Sequence, residues 1–262
     1  MKRITAFVGS ARKRYTYDAA TKFLDNLQAF GDYQCELVMI SDYHIGICKG
    51  CKICFEKGEE FCPMKNDDRD VLIEKMASSD GIIFATPNYT FQVSGILKIF
   101  LDRLGFVCHR PRFFGKNFTN IVTQGISGGG KIMKYLNFAA MSWGFNTVKG
   151  SCHTFFEPMT EKEKQKFDKS LAAHSRRFHK RMQKPAMPSP TLMGVMAFSM
   201  ARTSMKNLLD ERSRDYTYYR DKGWFESDYY YPARVGLALK ATGRLSELIA
   251  NRIWPPVKKG LD

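Results

Sequence analysis

The chain has 262 residues, 44% of them hydrophobic and 26% charged. That is enough to bury a sizeable core without staples, and it excludes disordered, collagen-like and solenoid classes. The formal charge of +15 is spread along the sequence, net +6 over residues 1–150 and +9 over 151–262. No nucleic-acid motif accompanies it, so it reads as solubility and attraction for anionic cofactors, with no nucleic-acid partner expected.

In chain order, the apolar run at 4–8 is a buried strand, too short for a signal-peptide core or a membrane span. Residues 192–200 are also too short to span a membrane, so a soluble, cytoplasmic protein is expected. A glycine, serine and basic loop follows the first strand, then helical periodicity over 19–30. Residues 36–40 form a second strand. Asp67 or Asp68 is placed to cap a helix running to about 79. A third strand, 81–85, leads through a loop at 86–93 into a helix from 94 to about 104. A fourth strand ends at 123, and Gly128-Gly129-Gly130 opens a helix to about 143. Residues 146–152 make a weaker fifth strand. Five β-then-α units imply an α/β fold with a doubly wound, five-stranded parallel sheet. Ligands of such sheets sit at the carboxyl ends of the strands, near the reversal of strand order. That rule selects the loops 9–18, 86–94 and 123–130.

From Thr160 onward the pattern changes. Residues 161–183 are charged and helical, Pro185, Pro188 and Pro190 mark a break, 192–209 is Met-rich and amphipathic, 216–231 is dense in aromatics, and 234–253 reads as a last helix. The division expected is 1–155 for the sheet domain and 156–262 for a C-terminal helical extension that packs on the core or on a second subunit. Its Met and aromatic stripes suit core or interface better than cofactor contact. A membrane-surface role for 192–209 is not expected, because few basic residues precede Arg202.

The first loop, Gly9-Ser10-Ala11-Arg12-Lys13-Arg14-Tyr15-Thr16-Tyr17, runs from a strand into a helix N-terminus. Free backbone N–H groups and the positive dipole end suit an anion there. It lacks both a Walker Gly-Lys-Ser/Thr and Gly-x-Gly-x-x-Gly, which disfavours a nucleoside triphosphate and a dinucleotide Rossmann site. The second loop is Thr86-Pro87-Asn88-Tyr89-Thr90-Phe91-Gln92-Val93-Ser94-Gly95, followed by Leu97-Lys98-Ile99-Phe100-Leu101-Asp102-Arg103. Together with Gly-Ser-x-Arg-Lys at 9–13 and Thr123-Gln124-Gly125 with Ser127-Gly128-Gly129, it resembles the NADPH-dependent FMN reductase branch of the flavodoxin-like superfamily over residues 1–150.

The resemblance implies a flavodoxin-like fold and FMN as cofactor, with NAD(P)H as substrate. By carry-over, Ser10, Arg12, Thr16 and Tyr17 hold the FMN phosphate. Pro87, Asn88, Tyr89, Thr90 and Phe91 line the ring, and Thr123, Gly125 and Gly128 flank it from the third loop. Relatives often carry Gly-Asn-Thr where this chain has Tyr15-Thr16-Tyr17. No side chain is assigned as catalytic, since the hydride chemistry belongs to the flavin. Asp102 and Arg103 are expected to pair structurally at a helix end. Family members usually assemble as homo-oligomers with FMN at the subunit interface.

Seven cysteines, four of them at 48–62, argue against a secreted disulfide framework. The spacing Cys48-x2-Cys51-x2-Cys54-x7-Cys62-Pro63 begins like a ferredoxin run, although the last gap is longer. Zinc sites more often use two separated Cys-x-x-Cys knuckles. A 4Fe-4S cluster, zinc, and free or redox-active thiols all stay open. The position after the second strand resembles iron–sulfur flavoproteins, which couple a 4Fe-4S cluster to FMN and exchange electrons with ferredoxin-like partners. Among the histidines only His174 and His179 fall close together, and a solvated surface pair is expected.

Overall fold

The computed structural model describes residues 1–156 and 158–257. It divides into two compact units: residues 1–49 with 66–187, and residues 50–65 with 188–262. The last five residues of the expected extension lie outside the described residues.

The first unit holds the sheet. In chain order it contains β1 (Lys2–Val8), α1 (Tyr15–Gln28), β2 (Tyr33–Met39), α3 (Arg69–Ala77), β3 (Gly81–Pro87), α4 (Gly95–Arg103), α5 (Gly105–His109), β4 (Asn117–Gln124), α6 (Gly129–Ser142), β5 (Asn146–Thr147), β6 (Ser151–Thr154) and α7 (Glu161–Met182). The strands run parallel in the order β2-β1-β3-β4-β5, with β6 also pairing to β4. This is the doubly wound flavodoxin-like order, whose reversal lies between β1 and β3.

Every residue of β3 is buried, as a central parallel strand covered on both faces requires. One face packs Ile4, Ala6, Ile83 and Ile121 against Phe23 and Leu27 of α1 and Phe178 of α7. The other carries aromatics: Phe84 meets Phe7 at 5.6 Å and Phe118 at 5.2 Å between ring centroids. Fully burying each such ring stabilises the fold by roughly 1.5–3 kcal/mol.

Three local expectations are corrected. The fifth strand is two short pieces in line along β4, and between them Gly150 lies so close to Asn120 that a Cβ there would meet its backbone oxygen at 2.3 Å. Asp68, at the N-cap of α3, makes no capping bond through its side chain, whereas the Asp67 carboxylate accepts from the Arg69 amide in the first turn at 3.4 Å. Asp68 instead accepts a hydrogen bond from the His44 amide at 2.7 Å, and Asp67 accepts one from the Gly46 amide at 3.0 Å. Asp102 and Arg103 do not pair with each other: Asp102 pairs with Lys98, and Arg103 forms a buried ion pair with Asp67 at 3.1 Å.

The charged segment α7 presents a stripe of Leu171, His174, Ser175, Phe178 and Met182 to the first unit's core. His174 is therefore buried, not solvated, and His179 bonds the Tyr33 hydroxyl at 2.8 Å. The reason is helical spacing: positions 171, 174, 175, 178 and 182 share one face although the segment is charged overall. A capping box, Thr160 with Glu163, starts this helix.

The second unit contains α2 (Ile53–Glu56), a 3-10 turn at Glu59–Phe61, α8 (Leu192–Leu208), α9 (Arg214–Asp221) and α10 (Leu237–Ile253). Gly243 of α10 lets that helix lie close on α8, where a Cβ would sit 3.0 Å from Ser199 Oγ and 3.3 Å from Val195. Trp224 is edge-on to Tyr219 at 4.9 Å and Tyr230 at 4.8 Å, and Phe198 meets Tyr230 at 4.6 Å. The 50–65 segment joins this unit, where the Ser213 hydroxyl donates to the Phe55 carbonyl at 3.3 Å.

Candidate functional site

The carboxyl ends of β1, β3 and β4 open onto a cleft of about 360 Å³ in the first unit. It is lined by Ser10, Arg12, Arg14, Tyr15 and Thr16 from the first loop and the start of α1, and by Pro87, Asn88 and Tyr89 after β3. Thr123, Gln124 and Gly125 after β4, and Phe155 after β6, complete it. Its size suits a mononucleotide-class ligand.

The anion end is built by α1. No side chain caps its N-terminus at Arg14, so the helix dipole and first-turn amides face the cleft. Arg12 and Arg14 add two guanidinium groups, neither in an ion pair among the described residues. Among the described residues no carboxylate lines the cleft. Buried hydroxyls fix the loop: Thr16 and Thr123 share a 2.7 Å hydrogen bond, and the Ser10 hydroxyl donates to the Arg12 carbonyl at 3.0 Å. Ser94 donates to the Gly9 carbonyl and caps α4 by accepting from the Leu97 amide at 3.2 Å. The first two loops are thus tied through Gly9, where an added Cβ would lie 2.7 Å from the Leu97 Cβ.

The ring end is built by the second and third loops. Tyr89 and Gln92 exchange two backbone hydrogen bonds of 3.0 Å, and Thr90 and Phe91 between them both have positive φ, 50° and 62°. Two consecutive left-handed residues without glycine cost energy and project the aromatics outward. Tyr89 is 53% and Phe91 65% exposed. The Asn88 amide donates to the Thr123 carbonyl at 2.7 Å, and its side-chain Nδ2 donates to the Ser127 carbonyl at 2.8 Å. Asn88 Oδ1 is buried without a hydrogen-bond partner. An orphaned acceptor at a cleft wall is a position for a ligand N–H. In the third loop, Gln124 Oε1 accepts from the Gly129 amide at 2.8 Å.

Of the residues selected from sequence, Ser10, Arg12, Thr16, Pro87, Asn88, Tyr89, Thr123 and Gly125 meet in this cleft. Tyr17 packs against the apolar core cluster instead, with Lys13 over its ring. Thr90 and Phe91 form the tip of the tight turn, and Gly128 sits against Phe91 at the start of α6. Sequence reading missed Arg14, Tyr15, Gln124 and Phe155 as lining residues. Phe155 stacks on Tyr15 with centroids 4.5 Å apart and planes at 13°. The signal was present: Tyr15 departs from the small residue common in relatives, and residue 155 follows a strand end on the same sheet edge.

Cys48 lies in the first unit, while Cys51, Cys54 and Cys62 lie in the second. Cys48 and Cys51 are exposed, and Cys54 and Cys62 are half-buried. Among the described residues no group of three or more His, Cys, Asp or Glu side chains is placed to hold a metal ion. No described helix is long and apolar enough to cross a membrane.

Comparisons with known proteins agree with this geometry. An iron-sulfur flavoprotein of Archaeoglobus fulgidus is 35% identical over 151 residues, covering 56% of this chain and 66% of the relative. A second from the same organism is 34% identical over 141 residues, covering 53% and 65%. The chain thus spans about two thirds of the length of these curated relatives. The crystal structure of RosB with bound 8-demethyl-8-formylriboflavin-5'-phosphate superposes with a TM-score of 0.57 at 13% identity. It covers 90% of this chain and 92% of RosB, a likeness of fold. The sequence profile of the NADPH-dependent FMN reductases matches residues 2–155, and the chain belongs to that family.

Proposed function

We propose that the protein is an FMN-dependent oxidoreductase that accepts electrons from NAD(P)H and passes them to a small acceptor such as a quinone, a nitro compound or another flavin. The carrying observation is the cleft at the strand-order reversal, with an uncapped helix and Arg12 and Arg14 at one end and exposed aromatics at the other.

FMN fits these residues by charge and by hydrogen bonding. The α1 N-terminus, Ser10, Arg12, Arg14 and Thr16 would hold its phosphate through charge-assisted bonds. Asn88 Oδ1 would accept from a ring N–H, which relieves the orphaned acceptor. Pro87, Tyr89, Phe91, Thr123, Gly125 and Gly128 would surround the ring. When bound, FMN supplies the hydride and electron chemistry. The chain orients the ring, limits water through Tyr89 and Phe91, and holds the phosphate away from the reacting face.

The reading extends to a soluble cytoplasmic homo-oligomer with FMN near a subunit interface. The test is flavin retention on purification, or reconstitution with FMN, followed by steady-state NADPH oxidation with a quinone. A protein that neither retains nor takes up FMN sinks the reading, and one that binds FMN but oxidises no nicotinamide reduces it to a flavin-binding module.

A second reading is an iron–sulfur flavoprotein electron carrier between ferredoxin-like partners. It draws on the Cys48, Cys51, Cys54 and Cys62 spacing and on the names of the relatives. Iron and sulfide analysis after anaerobic purification separates the two.

A further inference from the structure

A helix that completes a water-soluble core turns its large apolar side chains inward. In the second unit, α10 does the reverse. Its buried residues are the small Gly243, Ser246 and Ala250, with Gly243 set close on Val195 and Ser199 of α8. Its leucines face water: Leu237 is 87%, Leu245 58% and Leu248 66% exposed. Positions 237, 241, 245, 248 and 252 share one helical face, opposite the one on α8, and Ile249 borders it. Scattered surface leucines need no explanation, whereas a contiguous apolar stripe marks a surface that something covers.

Charge decides what covers it. Arg244 and Arg252 lie within and beside the stripe, and Arg234 stands just before the helix. All three are exposed and make no ion pair or hydrogen bond among the described residues. Glu247 is the one acidic residue in the sequence from 234 to 253, and it pairs with Arg202 of α8. The carboxylate of Asp228 is likewise taken, by Lys240 at 2.6 Å. The stripe therefore combines leucines with surplus arginine charge. A second copy of a chain of net charge +15 would set arginine-bearing face on arginine-bearing face. An anionic lipid surface satisfies both halves, since its acyl boundary takes the leucines and its phosphates take the guanidinium groups.

We propose that the exposed face of α10 is a docking surface for an anionic membrane, with the helix lying in the plane of the headgroups. Leu237, Leu245, Leu248 and Ile249 enter the acyl boundary, and Arg234, Arg244 and Arg252 contact lipid phosphates. The attachment is peripheral, because no described helix is long and apolar enough to cross a membrane. It is reversible and weakens with salt, as binding through one short stripe and a few charges must.

The experiment is co-sedimentation of the purified full chain with vesicles of phosphatidylcholine alone and of equal parts phosphatidylcholine and phosphatidylglycerol, in low and in high salt. Wild type should bind the anionic vesicles at least about tenfold more tightly than the neutral ones, with the margin shrinking in high salt. Leu245→Gln/Leu248→Gln keeps every charge and should still lose about tenfold or more in affinity. Arg244→Gln/Arg252→Gln should lose about thirtyfold. Lys131→Gln/Lys134→Gln removes the same charge from exposed positions of the first unit and should lose less than about threefold. All substituted side chains are exposed or half-buried, and an unchanged thermal midpoint verifies each fold. Equal binding to both vesicle types overturns the proposal, as does a leucine variant that binds like wild type, which would reduce the effect to bulk charge. Sedimentation velocity without lipid tests the other occupant: an assembly that Leu245→Gln/Leu248→Gln makes smaller assigns the face to a second copy and overturns the membrane surface.

Discussion

The two units reach a closed core by different means. The first builds on strands such as β3, buried along its whole length, and adds helices whose apolar stripes cover both sheet faces. The second has no strand among the described residues and gathers aromatic rings, Phe198, Tyr219, Trp224 and Tyr230, around two crossing helices. The first is nearly continuous in sequence. The second joins residues 50–65 to a segment more than a hundred residues away. Chemistry follows the same division: every residue lining the proposed flavin cleft belongs to the first unit. A sheet edge supplies converging strand ends that can hold a cofactor, whereas a ring cluster supplies cohesion.

The largest expected effect separates those roles. Trp224 is buried, touches three aromatic partners and donates from Nε1 to the Tyr230 carbonyl at 3.0 Å. Trp224→Ala should destabilise the helical unit by about 3–5 kcal/mol and leave FMN affinity unchanged. Differential protease sensitivity of 188–257, with a flavin titration on the same sample, checks this. A loss of FMN binding parallel to the loss of structure breaks the division of labour.

The reverse test targets the cleft. Arg12→Ala/Arg14→Ala removes two charge-assisted donors and should weaken FMN binding about a hundredfold, near 3 kcal/mol. The thermal unfolding midpoint of the apo protein should hardly move, because both side chains are exposed. Flavin fluorescence quenching measures the first and calorimetry the second.

How much of this was legible in the sequence also differs between the units. β1, β3 and the three loops that line the cleft could be read because a strand buried on both faces is a continuous apolar run and its loop follows at once. Where tertiary partners decide, local pattern misleads. Asp68 looks like a helix cap, yet the His44 amide claims its carboxylate, and Asp67 divides its own between the first amide of α3, Gly46 and Arg103. His174 sits in a charged segment, yet helical spacing turns it inward. Phe155 joins the cleft through its stack on Tyr15, a contact between residues distant in sequence. The partnership of 50–65 with the C-terminal helices leaves no periodic trace at all.

The buried histidines give a pH test confined to the first unit. Ser151 Oγ bonds His174 and His153 at 2.8 Å each, and Thr119 holds the other His174 nitrogen at 2.7 Å. Burial pushes His153 down to about 4 and His174 well below its usual value, with Arg177 adding to the latter. Both rings fold neutral, while the unfolded chain takes up protons below about 6.5. Stability is therefore complete above that pH and falls as pH drops toward 4. Each ring should cost about 1.4 kcal/mol between roughly pH 7.5 and 5.5 in urea unfolding. His153→Gln should halve the slope. An unchanged slope in that variant means His153 titrates normally in the folded state.

The smallest expected effect lies where fold and site share one atom. Gly9 follows β1, and its carbonyl accepts from Ser94, the residue that caps α4. An alanine Cβ would press on the Leu97 Cβ at 2.7 Å, a contact next to helix backbone that no rotamer change relieves. The first loop must then shift by a few tenths of an ångström relative to α4. Gly9→Ala should cost about 1–2 kcal/mol in stability, and the first loop, proposed to hold the FMN phosphate, should move with it. A severalfold loss of FMN affinity is expected, smaller than for the arginine pair because the charges remain. If stability falls while affinity stays at the wild-type value, the loop is positioned by its own hydroxyl bonds, Ser10 to Arg12 and Thr16 to Thr123, and not by the tie through Gly9.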